Sequence, residues 1–450
     1  MSRLRGLVAD TRPLRNDHFR RLWRANIITV IGAQLTVVAV PAQIYADTGS
    51  SAYVGLTGVF GLVPLVVFGL WGGALADVFD RRTLLVFSTL GLIVTSALFW
   101  VQAAVGSTNV WLLLSLFAVQ QAFFGINQPT RSAVLPRILT PDLLPAANAL
   151  NTTVFMAGGI AGPLVAGALI PVIGLEWLYL VDSITLLATL GAVVRLPPLP
   201  VAGSTGKPPG LRSVVEGFGY LRGQPVLLMS FAVDLIAMVF GMPRALFPEI
   251  ANESFGGPEA GGLAFALLFA AIPAGAVVGG VFSGWVSRVS AQGRAVIVCI
   301  VVWGLAVVVF GVAVGIAGSS TSLRTTMLVV AVVALAVGGA ADTASSAFRN
   351  AMLQAAASDE VRGRLQGIFI VVVAGGPRVA DVAHGAAAAT VGTAVAAGGG
   401  GVLVVVLTVA AAVLVPSFVR YRVSLPTATV VEADPEPEAP GGQTPSRPRT

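Results

Sequence analysis

The 450-residue sequence has one cysteine, two histidines and one lysine, and only 11% of its residues are charged. Each scarcity closes off a kind of chemistry. Cys299, in the apolar run from Arg294 to Val301, permits neither an internal disulfide nor a thiolate metal site. His18 and His384 lie far apart, and no H-E-x-x-H or D-D-x-x-D pattern occurs, so no metal is expected. No Walker sequence is present, which leaves ion gradients rather than nucleotide hydrolysis as a source of power. A soluble domain carries roughly 25% charged residues, so this chain cannot cover a water-exposed surface of normal size. A cytosolic enzyme and a nucleic-acid binder are both excluded, despite the net charge of +6. Apart from Lys207 every basic residue is arginine, a bias from which no function is drawn.

What fills the chain instead is hydrophobic: 56% of residues, with a mean hydropathy of +0.87. At about 20 residues per crossing, a dozen membrane helices fit. Apolar windows bounded by charge, Pro or Gly give spans near 22–46, 53–76, 83–105, 109–130, 146–171 and 175–195. Six more lie near 225–250, 262–287, 294–317, 323–347, 364–390 and 396–418. The first is too long for a signal-peptide core and reads as a retained helix. The expected fold is therefore an all-α membrane protein of twelve transmembrane helices. Its divisions are an arm at 1–21, a six-helix bundle at 22–195, a Pro-rich linker at 196–224, a second bundle at 225–420, and a tail at 421–450. The tail, acidic and rich in proline, cannot bury a core and should be disordered. With the amino terminus inside and sides alternating, 24 of the 27 basic residues fall on cytoplasmic segments; only Arg244, Arg324 and Arg378 do not. The positive-inside rule thus places both termini in the cytoplasm.

The halves echo each other. Arg131-Ser-Ala-Val-Leu135 followed by Thr140-Pro-Asp142 matches Arg349-Asn-Ala-Met-Leu353 followed by Ser358-Asp-Glu360, 218 residues on. Gly73-x-Leu75-Ala76-Asp77 before Arg81-Arg82 matches Gly280-x-Phe282-Ser283-Gly284 before Arg288, 207 residues on. Six spans repeated in the same topology predict two parallel bundles, with a substrate cavity between them at mid-membrane.

The loop Gly73-Ala-Leu75-Ala76-Asp77-Val78-Phe79-Asp80-Arg81-Arg82-Thr83-Leu84-Leu85 resembles the signature loop of the major facilitator superfamily. Val78 stands where that family has Arg, and Asp80 where it has Gly. Pro129-Thr-Arg131-Ser-Ala133, Ala146-Ala147-Asn148-Ala149-Leu150, Arg362-Gly363-Arg364 and Gly375-Gly376-Pro377-Arg378 before Asp381 are similar to the enterobactin-exporter-like branch of bacterial efflux permeases. The likeness covers about residues 15–420. It implies a monomeric secondary transporter of the cell membrane that exports a small organic molecule, siderophore-like or drug-like. Protons and the lipid bilayer would be its other partners, with no cofactor and no nucleic acid. An importer of the same fold is the nearest alternative. A membrane-embedded transferase lacks its clustered acids, and a scaffold lacks its soluble domain.

Several residues are candidates for the mechanism. Gly73, Asp77, Arg81, Arg82 and Arg131 would form a gate at the inner mouth, Asp77 accepting bonds from a neighbouring helix or from Arg131. The alternative is a turn that only orients the loop. Gly158, Gly162, Pro163 and Gly167 in the fifth span resemble the Gly-Pro motif of exporters and proton antiporters. Glycines four apart allow close helix approach, and proline bends the helix. Ordinary small-residue packing is the competing reading. An ionisable group in hydrocarbon costs roughly 2.5–3.5 kcal/mol, so each needs a reason. Asp234, nine residues into the seventh span, is the first candidate for a proton-coupling carboxylate; its counterpart in the first half is about Asn26. Arg378, Asp381 and His384 step by three along the eleventh span, so a stripe could bind an anion at Arg378 or pass a proton through His384. Arg244 and Glu249 are read as rim charges of an outer vestibule, with Arg244, Arg378 and Asn26 as cavity candidates. Asp182, and Asp342 beside Arg349, are read as structural. Phe19, Trp23, Trp71, Trp100, Trp111, Trp177 and Tyr179 are expected in interfacial aromatic belts.

Overall fold

A computed structural model describes residues 10–76, 78–200, 223–356 and 359–422, without the side chains of 287 and 355–374. Among these the chain is helical throughout. The long helices are α1 Asp17–Thr48, α2 Ser51–Ala76, α3 Arg81–Ala104, α4 Val110–Ile138, α5 Leu144–Ile173 and α6 Leu175–Val194. They continue as α7 Pro225–Gly241, α8 Gly262–Val281, α9 Gln292–Ser319, α10 Arg324–Ala356, α11 Asp359–Val391 and α12 Thr393–Leu414. Eleven of the described helices are long and apolar enough to cross a membrane. The twelfth long helix, α11, has 33 residues, and the side chains of its first half lie outside the described residues. Membrane burial explains the outward faces. On α9, Val298, Val302, Leu305, Val309 and Val312 recur every three or four residues and are all exposed, a stripe suited to lipid.

The duplication is visible in how the helices pack. In the first half, α1 lies against α5 and α6, α2 against α4, and α3 against α4 and α6. In the second, α7 lies against α11 and α12, α8 against α10, and α9 against α10 and α12. Adding six to each label converts one list into the other. The halves meet through α2 on α11 and α5 on α8, which exchange under the same operation. Two turns repeat as well. Gly174, between α5 and α6, has φ 85° and ψ 168°; Gly392, between α11 and α12 and 218 residues on, has φ 79° and ψ 161°. A left-handed φ favours glycine at both.

Sequence and structure part company at four places. The seventh span is broken: α7 stops at Gly241, and short helical turns at Arg244–Leu246, Phe247–Glu249 and Ile250–Ser254 carry it on. Pro243 and Pro248 supply no backbone donor there. Helix α4 runs on through Pro129 and Pro136, so Arg131 sits on a helix rather than in a loop. Phe19 is buried against Leu139, Ala147 and Leu150, and Tyr179 is buried and stacked on Phe99. Both are core residues, whereas Trp71, Trp111 and Trp177 are exposed as a belt requires. The expected disordered tail lies outside the described residues, as does the linker over 201–222.

Both halves combine polar contacts between helices with close backbone approach at small residues. The first uses polar contacts between helices: Thr36 and Ser96 donate to Asp182 at 2.7 and 2.9 Å, tying α1 and α3 to α6. Tyr179 donates to Gln43 at 2.9 Å, Gln43 and Gln102 bond each other, and Asn127 donates to Ser88 at 2.9 Å. Small residues also let backbones touch, at Gly72 on Ile126 in the first half and at several sites in the second. A Cβ on Gly401 would stand 2.6 Å from the Val308 nitrogen, and one on Gly279 2.8 Å from the Ala340 Cα.

Candidate functional site

Chain direction sorts the helix ends into two sets. One, the arm end, holds the starts of α1, α3, α7 and α9; the other, the far end, holds Ser51, Gly174 and Gly392. Among the described residues, the tightest contacts between halves that involve glycine lie in the far half, while Gly159 and Gly375 meet the other half more loosely near mid-helix. A Cβ on Gly55 would reach within 2.6 Å of the Asp381 carbonyl, and one on Gly385 within 2.6 Å of the Ser51 carbonyl. On the other seam, Gly261 would meet Ile170 at 2.7 Å, and Gly159 would touch Pro273 at 3.6 Å. Polar bonds add to this closure. The Ser51 N–H donates to Glu249 Oε2 at 3.0 Å, and the Tyr45 hydroxyl donates to Glu253 at 3.2 Å. Glu249 is therefore a clasp between halves, not a free rim charge.

Ionisable side chains occupy this same seam. The Asp381 carboxylate lies 3.9 Å from the guanidinium of Arg378, three residues back on α11, and 3.9 Å from that of Arg244 beyond the α7 break. Arg378 also sits over the Phe117 ring on α4, 5.4 Å from its centroid. His384 does not extend the stripe. Its Nε2–H donates to the Phe240 carbonyl at 3.1 Å, and its ring lies against Gly400 of α12. The reason is helical geometry. Each three-residue step falls about 60° short of a full turn, so two steps carry His384 round to the α7 and α12 side.

A second cluster lies nearer the arm end. Asp234 on α7 forms an ion pair with Arg349 on α10, and the other Arg349 nitrogen is 3.6 Å from Asp342 one helix stretch back. Arg349 Nε also donates to the Ser345 carbonyl at 3.4 Å. A cleft lined by Leu227, Ser230, Phe231, Asp234, Arg349 and Leu353 opens at this pair. The Asp342–Arg349 pairing follows the sequence reading, while the Asp234–Arg349 pair does not appear in it. The two residues are 115 positions apart, and nothing local signals their meeting. Asn26, the counterpart of Asp234 on α1, is buried.

The gate loop is described only in part. Asp77 lies outside the described residues, so its expected bond to Arg131 does too. Arg82 donates to the Val194 carbonyl at 2.7 Å, capping the end of α6. Arg81 is buried and its backbone N–H reaches the Leu199 carbonyl at 3.3 Å. Asp80, which replaces the family glycine, accepts from the Thr83 N–H at 3.0 Å and from the Leu199 N–H at 2.6 Å. It thus caps α3 and ties the start of the linker to the loop. Asp80→Ala should lower stability by about 0.5–2 kcal/mol, read as an earlier thermal unfolding in detergent; an unchanged transition would remove the clasp. Gly73 has open space around its Cα.

The glycines of the fifth span divide between two neighbours. Gly158 and Gly162, four apart, face Val30 and Gln34 of α1 within the first half, and Pro163 is buried beside them. Gly167, with Gly159, faces α8 across the seam. The bare surface between halves is thus made by 159 and 167, about 120° round the helix from the 158–162 pair.

The sequence model of the transmembrane secretion effector family matches residues 8–441. The chain is 26% identical over 360 residues to the enterobactin exporter EntS of Shigella boydii serotype 18, a match covering 78% of this chain and 80% of that protein. It is 25% identical, over the same shares, to the enterobactin exporter EntS of Escherichia coli O139:H28. Among solved structures it superposes on the nucleoside transporter NupG with a TM-score of 0.69 at 12% identity, covering 89% of this chain and 98% of that one. A bacterial homologue of the iron transporter ferroportin gives 0.63 at 14% identity, covering 90% and 98%. With its duplicated helical halves and a family match spanning nearly its whole length, the chain belongs to the transmembrane secretion effector family, as an exporter-type transporter of the major facilitator superfamily.

Proposed function

We propose that this transporter exports a siderophore-like or drug-like organic molecule in exchange for protons, by alternating access between its two halves. The observation that carries the reading is Asp381. A titratable carboxylate stands in the seam itself, beside the backbone contact with Gly55 and within 3.9 Å of two arginines. Protonation would remove the charge that offsets Arg378, whose guanidinium packs on Phe117 and Gly61 of the first half, linking proton occupancy to the contact between halves. Arg244 and Arg378 outnumber Asp381, which suits an anionic cargo, and the named relatives export enterobactin. The divisions proposed from sequence, bundles at 22–195 and 225–420 joined by a linker at 196–224, agree with the packing of α1–α6 and α7–α12. The arginine distribution supports an arm end in the cytoplasm, so the conformation with a closed far end faces inward. The protein works as a monomer of the cytoplasmic membrane. One proton crossing 100 mV supplies about 2.3 kcal/mol, and a pH gradient adds to it.

The test is transport in proteoliposomes under an imposed pH gradient, with a catecholate siderophore and an amphipathic dye as the two probes. The gradient should accelerate movement of at least one probe about tenfold in the wild type. Asp234→Asn and Asp381→Asn should each abolish that acceleration. Unchanged gradient-driven transport in both variants would remove these carboxylates from coupling, and indifference of the wild type to the gradient would remove proton antiport.

A further inference from the structure

The cluster near the arm end holds two carboxylates and one guanidinium. Asp234 and Arg349 are almost wholly enclosed, their side chains 2% and 6% exposed, while Asp342 is 29% exposed. With both acids ionised the cluster keeps one uncompensated negative charge inside the membrane protein, an expensive state. One bound proton makes it neutral. A second would leave Arg349 as an uncompensated cation.

We propose that Asp234, Asp342 and Arg349 form a one-proton site in which Arg349 is the shared counter-charge. Asp234 is its close partner, and Asp342, the more accessible acid, takes and releases the exchangeable proton. In its role in transport the site rests on the proton-antiport reading, and it sets one proton per cycle at this position. Arg349 is a positioning residue: it carries no proton but fixes how many the acids can hold. Among the described residues few other ionisable groups are close: the turn Ser283–Arg288, packed on α10 at Phe348, adds Arg288. Helices α8 and α12 have no charged residue, α7 adds Ser230, and α9 contributes Cys299 and Arg294. On α11 the described charged side chains are Arg378 and Asp381, in the far half; the side chains of 355–374 lie outside the described residues.

Charge counting gives a pattern that simple carriage by one acid does not. The measurement is the protonated-carboxyl stretching band in pH-difference infrared spectra of the full-length protein in lipid. Asp342→Asn should remove one carboxyl proton from the wild-type spectrum. Asp234→Asn should remove it as well, because Asp342 then becomes the partner of Arg349. Arg349→Gln should add a second proton, doubling the contribution of the cluster, while Arg349→Lys keeps one. The charge-balanced double variant Asp234→Asn with Arg349→Gln should regain the single proton, which also provides a folded test should Arg349→Gln alone fail to assemble. A band that survives Asp342→Asn, or a double variant without the regained proton, would overturn the site. The assay reads no transport. Gradient-independent transport with the full pattern intact would therefore defeat antiport and leave the site standing, and a missing pattern with gradient-driven transport would do the reverse.

Discussion

Gly385→Val is expected to abolish transport while leaving a folded, monodisperse protein. A Cβ on Gly385 would stand 2.6 Å from the Ser51 carbonyl oxygen and 2.9 Å from the Gly55 Cα. Both obstacles are backbone atoms of α2, so neither can step aside by changing rotamer. Overpacking of this kind costs about 1–3 kcal/mol, and it is felt only where α2 and α11 are in contact. The penalty thus falls on the far-end-closed state and shifts the equilibrium between conformations by about 5- to 150-fold. Spin labels at Thr108 and Thr321, both exposed in far-end turns of opposite halves, would read the shift as a longer distance distribution once Cys299 is replaced by Ala. Gly399→Val is the control, since a Cβ there meets nothing within 4 Å. Wild-type distances and transport in Gly385→Val would mean that the seam is not what opens.

The same seam shows what the sequence could and could not reveal. Twelve apolar windows locate most of the helices, because desolvating a helix demands a long uncharged stretch and little else, although α4 and α10 run on eight and nine residues past their windows and the seventh span breaks at Gly241. The duplication is equally legible: Arg131 and Arg349, like Gly174 and Gly392, keep one offset of 218 residues. Which helix faces which is another matter. In a chain built from Ala, Gly, Val and Leu, both lipid-facing and buried sides are apolar, so periodicity does not separate them. Gly158, Gly159, Gly162 and Gly167 form one small-residue run in sequence, yet two serve α1 and two serve α8. Pairings between distant residues are equally silent. Asp234 reads as a lone acid until α10 brings Arg349 to it. Asp80 reads as a lapse from the family pattern, whereas its carboxylate replaces a glycine turn with a cap for α3 and a bond to Leu199. His384 shows the opposite error: spacing by three looks like a stripe over one step and ceases to be one over two.

Trp303→Ala should be the most destabilising single change in the second half, by about 3–5 kcal/mol. In lipid, burial of apolar surface does not by itself bring helices together, so packing and hydrogen bonds must do more of the work. Trp303 on α9 is 1% exposed, and its Nε1–H donates to the Ala237 carbonyl of α7 at 3.2 Å. Its ring fills the space left by two glycines. A Cβ on Gly241 would meet Cδ1 at 2.8 Å, and one on Gly338 would meet Cε3 at 2.8 Å. The indole is therefore a spacer between α7, near its break, and α10. Two turns along α7 from Gly241 lies Asp234; one turn along α10 from Gly338 lies Asp342. Truncation leaves a cavity that the helices close only by moving, which changes the separation of Asp234, Arg349 and Asp342, although the hydrogen bond of Trp303 goes to Ala237 and not to this cluster. Trp303→Phe keeps much of the ring and forfeits the hydrogen bond, a loss nearer 0.5–1.5 kcal/mol. Unfolding in mixed micelles would rank the two variants, and gradient-driven transport should fall in the same order. Stability within 1 kcal/mol of wild type for Trp303→Ala would show that α7 and α10 keep their spacing without the indole, and that the proton site owes its geometry to something else.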